Sequence, residues 1–298
     1  MKKVISASVT PLLENGSLDK LGLVNILERN IRHGIDGVFM FGSMGEWGSF
    51  DDDFKMEAVA MATECVNKRL ELLVGINSTS LGMSLKLMEK LKKYDFDAFV
   101  FMLPGKSCAL DPVRQILKVL DNADRPVYYY HCPPNNGINL SILQFARIMK
   151  HPNLKGIKNS SSQMVLRREL MLLREDIGAK TLFFEGQEWS ADEALLIGLD
   201  GVICGMGALC SKMIKKIAVC VEAGDLTNAV KAQEDLIRVF HGVYGPNIEN
   251  VWNGQKYALY RLGLIASPLT FAQEMDTLTP EVKERIDACL DEYKEAID

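Results

Sequence analysis

No apolar stretch in this 298-residue sequence approaches the ~20 consecutive residues that a helix needs to cross a bilayer, so a helical membrane protein is not expected. Histidine is scarce: the chain has His33, His131, His151 and His241, and no His-x-x-x-His pair. The seven cysteines (Cys65, Cys108, Cys132, Cys204, Cys210, Cys220 and Cys289) are odd in number, widely spaced and without a Cys-x-x-Cys pair. Such a set suggests neither a zinc site nor a disulfide framework, and reduced, mostly buried thiols are expected. The basic residues form no stripe and the net charge is only -5, which leaves no electrostatic footprint for nucleic acid. Linkers rich in Gly, Ser or Pro, low-complexity tracts and repeats beyond a strand-helix alternation are all missing. The opening Met1-Lys2-Lys3-Val4-Ile5-Ser6 leads into a strand-like segment, not a long apolar region with a small-residue cleavage site. A cytoplasmic protein is expected.

What is present is a globular composition, 48% hydrophobic and 24% charged, able to bury roughly 75% of the unfolded surface in a large core. Eight apolar, β-rich runs recur along the first 204 residues: Val4 to Val9, Gly37 to Phe41, Glu71 to Ile76, Ala98 to Met102, Pro126 to Tyr130, Leu154 to Lys158, Thr181 to Glu185 and Gly201 to Cys204. Between them, apolar residues fall at helical intervals, as in Leu21-Leu23-Val24-Ile26-Leu27-Ile31 and Ile142-Leu143-Phe145-Ala146-Ile148-Met149. Gly34 is placed to stop the first of these helices. Eight strands separated by helices imply parallel βαβ units and fit an α/β (β/α)8 TIM barrel. A doubly wound open sheet is the alternative, but Ser8-Val9-Thr10-Pro11-Leu12-Leu13 after the first strand is no Gly-rich dinucleotide fingerprint.

Beyond Ser211 strand signals stop. Gly224-Asp225 reads as a helix stop followed by an N-cap, and Thr279-Pro280-Glu281 as a cap, a first-turn proline and an acidic first turn. The expected organisation is a barrel over residues 1–210 carrying the active site. Residues 211–298 supply the last barrel helix and a C-terminal helical extension packed on the barrel or forming an oligomer surface.

Function in a barrel gathers where strands end, which directs attention to Thr10, Gly42-Ser43-Met44-Gly45-Glu46, Asn77, Tyr130-His131, Lys158-Asn159, Gly186-Gln187-Glu188 and Gly205-Met206-Gly207. Lys158 closes its run at a barrel mouth. A lysine whose charge is disfavoured by a desolvated site presents a neutral amine, which can form a Schiff base with a ketone. The iminium is then an electron sink for a carbanion next to the former carbonyl. A strand-end lysine can equally pair with a surface carboxylate. The period of two places Tyr128 and Tyr130 on one face and Tyr129 on the other; a phenol there can shuttle a proton or simply pack. Gly42 and Gly45 let backbone N–H groups converge on an anion, with Ser43 adding a hydroxyl, although a plain tight turn has the same sequence. No Gly-Lys-Ser/Thr ending makes it a nucleotide loop. Asp51-Asp52-Asp53 opens a helical pattern and reads as capping, not as a metal cluster.

In combination, Gly42-Ser43-Met44-Gly45-Glu46, Tyr130-x-x-Pro133 and Gly156-Ile157-Lys158 resemble the dihydrodipicolinate synthase/N-acetylneuraminate lyase family of Schiff-base aldolases. The likeness spans the barrel, and Gly198-Leu199-Asp200-Gly201-Val202-Ile203 looks like that family's eighth strand. The resemblance implies that Lys158 forms an imine with pyruvate or another 2-oxo acid, that Tyr130 moves protons, and that Ser43 with its neighbouring amides holds the oxo acid's carboxylate. Catalytic roles are thus expected of Lys158, Tyr130 and Ser43, and substrate contacts of Gly42, Met44, Gly45, Gly186, Glu188 and Ile203. It implies a lyase without cofactor or metal that joins or splits a 2-oxo acid and an aldehyde, for example a sugar-derived one, in a homo-oligomer (tetramer or dimer).

The sequence also departs from the family pattern. Met44 stands in place of the second hydroxyl of the carboxylate turn, and Asn135 where the synthase has an arginine for the aldehyde's carboxylate. Pro104-Gly105-Lys106 replaces the synthase's proline and paired tyrosines, and Gly186-Gln187-Glu188-Trp189 replaces the lyase's Gly-x-Asp-Glu. These changes disfavour dihydrodipicolinate synthesis and sialic acid cleavage while leaving the imine apparatus whole. A dehydratase of a deoxy-oxo sugar acid would use the same imine, and a non-catalytic oxo-acid-binding protein would keep it without turnover.

Overall fold

The computed structural model describes residues 1–105 and 111–298, so Lys106 and Cys108 lie outside the described residues. Each of the eight apolar runs forms a strand: β1 Lys3–Ala7, β2 Gly37–Met40, β3 Glu71–Gly75, β4 Ala98–Phe101, β5 Val127–His131, β6 Leu154–Asn159, β7 Leu182–Glu185 and β8 Gly201–Cys204. All pair in parallel in chain order, and β8 returns to β1 with Lys3 opposite Gly201 and Ser6 opposite Cys204, which closes the barrel. That closure removes the open-sheet alternative.

The strands are apolar on both faces because both are covered. Ile5, Phe39, Leu73, Val100, Tyr128, Tyr130, Phe184 and Ile203 fill the barrel, whereas Val38, Leu72, Phe99, Tyr129, Ile157 and Val202 face the surrounding helices. The expected split of Tyr128 and Tyr130 from Tyr129 is thus observed. At the N-terminal end, the Tyr128 hydroxyl donates to Glu71 Oε1 at 3.0 Å and Lys3 Nζ lies 2.7 Å from Glu71 Oε2. The polar tip of Tyr128 therefore has partners at the floor of the barrel, away from the mouth.

Local signals set the helices. Asp19 caps Lys20–Arg32 by accepting from the Gly22 N–H at 2.9 Å, and Gly34, at φ +67°, ends it. Asp51 caps Asp52–Val66 by accepting from the Phe54 N–H at 2.8 Å, so the acidic triplet does serve as a helix start. Thr279 and Asp225 cap Pro280–Glu292 and Leu226–Tyr244 in the same way.

The C-terminal helices reach the barrel at several points. The last barrel helix is Gly207–Glu222, and a Cβ at Gly207 would lie 2.5 Å from Ser6 Cα, so only glycine allows this approach to β1. Buried Arg29 donates to Ala208 O, Leu209 O and Ile297 O, tying the first helix to the last barrel helix and to the C-terminal turn. From the helix Val251–Arg261, Trp252 Nε1 donates to Ser43 O at 2.9 Å and Gln255 Nε2 to Gly205 O at 3.0 Å. The extension thereby holds two of the strand-end turns at the barrel mouth.

Candidate active site

The turn after β2 is built under local strain. Phe41 adopts φ +56°, unusual for a residue with a side chain. Its carbonyl accepts from Asn77 Nδ2 at 3.2 Å and sits so close to β3 that a Cβ at Gly75 would lie 2.3 Å from it. A Cβ at Gly45 would meet Phe41 N at 2.7 Å, and Thr10 Oγ1 donates to Gly45 O at 2.8 Å. Beyond it, Glu46 is buried and its carboxylate forms an ion pair with buried Lys256. The second Glu46 oxygen accepts from the N–H groups of Phe271 and Ala272 at 2.8 and 3.1 Å. So fixed, the turn leaves the N–H groups of Met44 and Gly45 without a hydrogen-bond acceptor among the described residues. Two such donors beside a serine hydroxyl suit a carboxylate.

Lys158 and Tyr130 are directly opposite on β6 and β5. The Lys158 side chain is 4% exposed, with its amine 4.3 Å from the Tyr130 ring centroid and 5.4 Å from that of Phe39. Among the described residues no carboxylate forms an ion pair with it, so the surface-pairing alternative fails. Burial holds its pKa below the ordinary lysine value, against the opposing pull of Cys132, Glu188, Cys204 and Glu185. A Cβ on Gly186 would lie 2.0 Å from Ser160 Oγ and 2.9 Å from Lys158 Cε. Glycine there makes room for the lysine's outer methylenes.

The Tyr130 hydroxyl is 3.4 Å from Ser43 Oγ, which accepts from Asn135 Nδ2 at 2.7 Å. Burial raises the Tyr130 pKa, while the neighbouring Ser43 and Ser160 hydroxyls pull it down. A phenol and an amine whose charged forms are both disfavoured by burial, side by side, can give and recover a proton during chemistry at a carbonyl. Met44 is buried and its side chain runs toward β8: a Cβ at Gly205 would lie 2.9 Å from Met44 Cγ and 3.0 Å from Glu188 Oε1. Glu188 accepts from the Met206 N–H at 2.9 Å, and burial raises its pKa. Ile203 is fully buried inside the barrel.

A profile of the Dihydrodipicolinate synthetase family matches residues 1–292. The chain belongs to that family. It is therefore an enzyme of the class I, Schiff-base lyase type. It is similar to an uncharacterised DapA-like lyase of Rhizobium meliloti, 27% identical over 80% of this chain and 79% of the relative. It is also similar to the 4-hydroxy-tetrahydrodipicolinate synthase of Geobacter sulfurreducens, 26% identical over 82% of this chain and 83% of that one. Among solved structures, the dihydrodipicolinate synthase of Acinetobacter baumannii complexed with pyruvate superposes with a TM-score of 0.88 at 22% identity, covering 100% of this chain and 99% of that one.

Within this family framework, the structure brings Lys158, Tyr130 and Ser43 together and places Gly42, Met44, Gly45 and Gly186 around them. It also turns Trp189 toward the extension, with ring centroids 4.5 Å from Phe240 and 5.0 Å from His241. Sequence reasoning missed three features. Cys132 lies inside the barrel near Lys158, and the period of two that points Tyr128 and Tyr130 inward could have found it. Trp252 and Lys256 come from a helix more than 90 residues beyond Lys158, and helical periodicity identifies a buried face without saying what it meets. Among the described residues, no three His, Cys, Asp or Glu side chains group as metal ligands, and no helix is long and apolar enough to cross a membrane.

Proposed function

We propose that this chain makes or breaks a carbon-carbon bond in a 2-oxo acid, with pyruvate and an aldehyde as the partners. Lys158 forms the imine; Ser43 and the N–H groups of Met44 and Gly45 hold the oxo acid's carboxylate. Tyr130, assisted by Ser43, removes the proton from the aldol hydroxyl as the bond breaks and supplies it as the bond forms. Glu188, beside Gly205 and Met206, borders the chamber on the β8 side. The observation that carries this reading is the buried Lys158 amine, without an ion pair among the described residues, resting against Tyr130. The pyruvate complex of the Acinetobacter baumannii synthase supports pyruvate as the oxo acid. Asn135 at the rim, in place of a cation, argues against the synthase reaction that several relatives are named for. Incubation with pyruvate and borohydride, followed by peptide mass spectrometry, is expected to place the reduced adduct on Lys158. An unmodified Lys158 under conditions that trap a known class I aldolase would sink the imine mechanism.

The same reading includes a cytoplasmic homo-oligomer. Exposed Leu143, Met164, Val165 and Leu172 lie on the neighbouring helices Ile142–Ile148 and Met164–Asp176, and such apolar positions suit burial against another copy. Light scattering on the eluting protein should give a dimer or tetramer mass; a monomer across micromolar concentrations would contradict it.

A further inference from the structure

The oxo-acid side of the site leaves the second substrate open, and a cavity beginning at Ser43 narrows the choice. It holds about 480 Å³ and is lined by Ser43, Trp47, Met102, Pro134, Asn135 and Trp252, with Glu46 also on its wall. Ser43 belongs to both this cavity and the Tyr130 hydrogen bond, so the cavity opens beside the group that contacts the proton carrier. Glu46 is the one charged side chain on its wall among the described residues, and that carboxylate is already occupied by Lys256 and by the N–H groups of Phe271 and Ala272. No lysine, arginine or histidine among the described residues lines it.

A carboxylate or phosphate entering such a cavity would shed water beside two indoles and gain no cation from the described residues in return, which is unfavourable. Flat apolar or aromatic groups gain from the same indoles. Among the described residues the neutral polar side chains on the wall are Ser43, Ser49 and Asn135; Asn135 Nδ2 leans on Ser43 at 2.7 Å, leaving its carbonyl oxygen for a hydroxyl of the ligand.

Resting on the Lys158 imine, the geometry points to an acceptor subsite for an uncharged aldehyde with an apolar or aromatic body, seated between Asn135 and the indoles of Trp47 and Trp252. The reaction balances without a further reagent. As the neutral Lys158 amine condenses with pyruvate, Tyr130 gives its proton to the departing hydroxyl, which leaves as water; the phenolate then takes a methyl proton from the iminium to give the enamine, whose terminal carbon bonds to the aldehyde carbon. The aldehyde oxygen takes that proton from Tyr130, and water hydrolyses the iminium, returning a proton to the Tyr130 phenolate and releasing a 4-hydroxy-2-oxo acid and the free amine.

The test uses the intact protein with pyruvate and matched aldehyde pairs, benzaldehyde against 4-carboxybenzaldehyde and butanal against succinic semialdehyde. Pyruvate consumption and the mass of the aldol are followed, with borohydride trapping run in parallel. The uncharged member of each pair is expected to react at least about tenfold faster, and Asn135→Arg to shift that ratio toward the carboxylate member. Trp47→Ala is expected to slow benzaldehyde more than butanal. A Lys158 adduct accompanied by equal or faster reaction of the carboxylate aldehydes, or by no reaction of either member, overturns the subsite and leaves the imine standing. Absence of the adduct removes the imine and the subsite together.

Discussion

Replacing Lys256 by methionine should damage the site from a distance. Lys256 and Glu46 are both fully buried as side chains, and they pair across the gap between the helical extension and the turn that carries Ser43. Methionine keeps most of the lysine's volume, so packing changes little, but it strips the countercharge from a buried carboxylate. Breaking one partner of a buried pair costs about 3–5 kcal/mol. Glu46 keeps the N–H groups of Phe271 and Ala272 at 2.8 and 3.1 Å, which puts the expected loss at the lower end, about 3 kcal/mol. For a chain of this size that is a fall in melting temperature of roughly 5 °C. The loss is not purely structural, because a turn released from its anchor no longer presents Ser43 and the Met44 and Gly45 N–H groups together. Exchange of the pyruvate methyl protons in deuterated water, followed by proton NMR, needs no aldehyde and should slow in parallel. Adding Glu46→Gln to Lys256→Met should recover part of the stability, since a neutral amide is cheaper to leave unpaired than a charge. A Lys256→Met protein that melts within a degree of the parent, or a double variant less stable than either single one, would refute the electrostatic account of this anchor.

Other consequences are as direct. His131 is fully buried against Phe145, with ring centroids 5.1 Å apart, and burial lowers its pKa from 6.5 to about 4. The unfolded chain takes up this proton first, so the stability it contributes above pH 6.5 is lost as the pH falls toward 4, about 3 kcal/mol in all. Urea midpoints measured across that window should fall less steeply in His131→Leu, and an unchanged slope would exclude His131 as the cause. Gly186→Ala should slow borohydride trapping at Lys158 sharply, because the new methyl meets Ser160 Oγ and Lys158 Cε; trapping at the parental rate would show that the loop yields freely. Tyr130→Phe keeps the ring beside Lys158 but removes the proton carrier, so adduct formation should survive while methyl-proton exchange drops by about 10²–10⁴-fold. Equal loss of both would point to a packing role.

The barrel was legible because each strand is a short apolar run set between helical periodicities, and such local patterns need no knowledge of partners. Alternation within β5 separated Tyr128 and Tyr130 from Tyr129, as observed, though which face is the interior came only from the closed barrel. The turn glycines and Lys158 could be picked out because strand ends gather at one mouth. What joins distant segments could not be read. The bond from Asn135 to Ser43 spans 92 residues and that from Trp252 to Ser43 spans 209. Nothing local to Asn135 distinguishes a turn residue facing water from one that grips a hydroxyl. The buried pair of Glu46 and Lys256 was hidden for the same reason: each reads as an ordinary surface charge in its own helix or turn, and burial arises only when the extension folds over the mouth.

The central claim is that the Lys158 amine is the nucleophile, kept reactive by burial. Its most direct measurement is the pH dependence of pyruvate trapping by borohydride, read at the Lys158 peptide. The neutral amine attacks, so trapping should rise with pH and level off below the 10.5 of an ordinary lysine, and Lys158→Met should abolish the adduct. A rise that continues to the ordinary lysine range, or an adduct that forms on another lysine while Lys158 stays unmodified, would contradict the account.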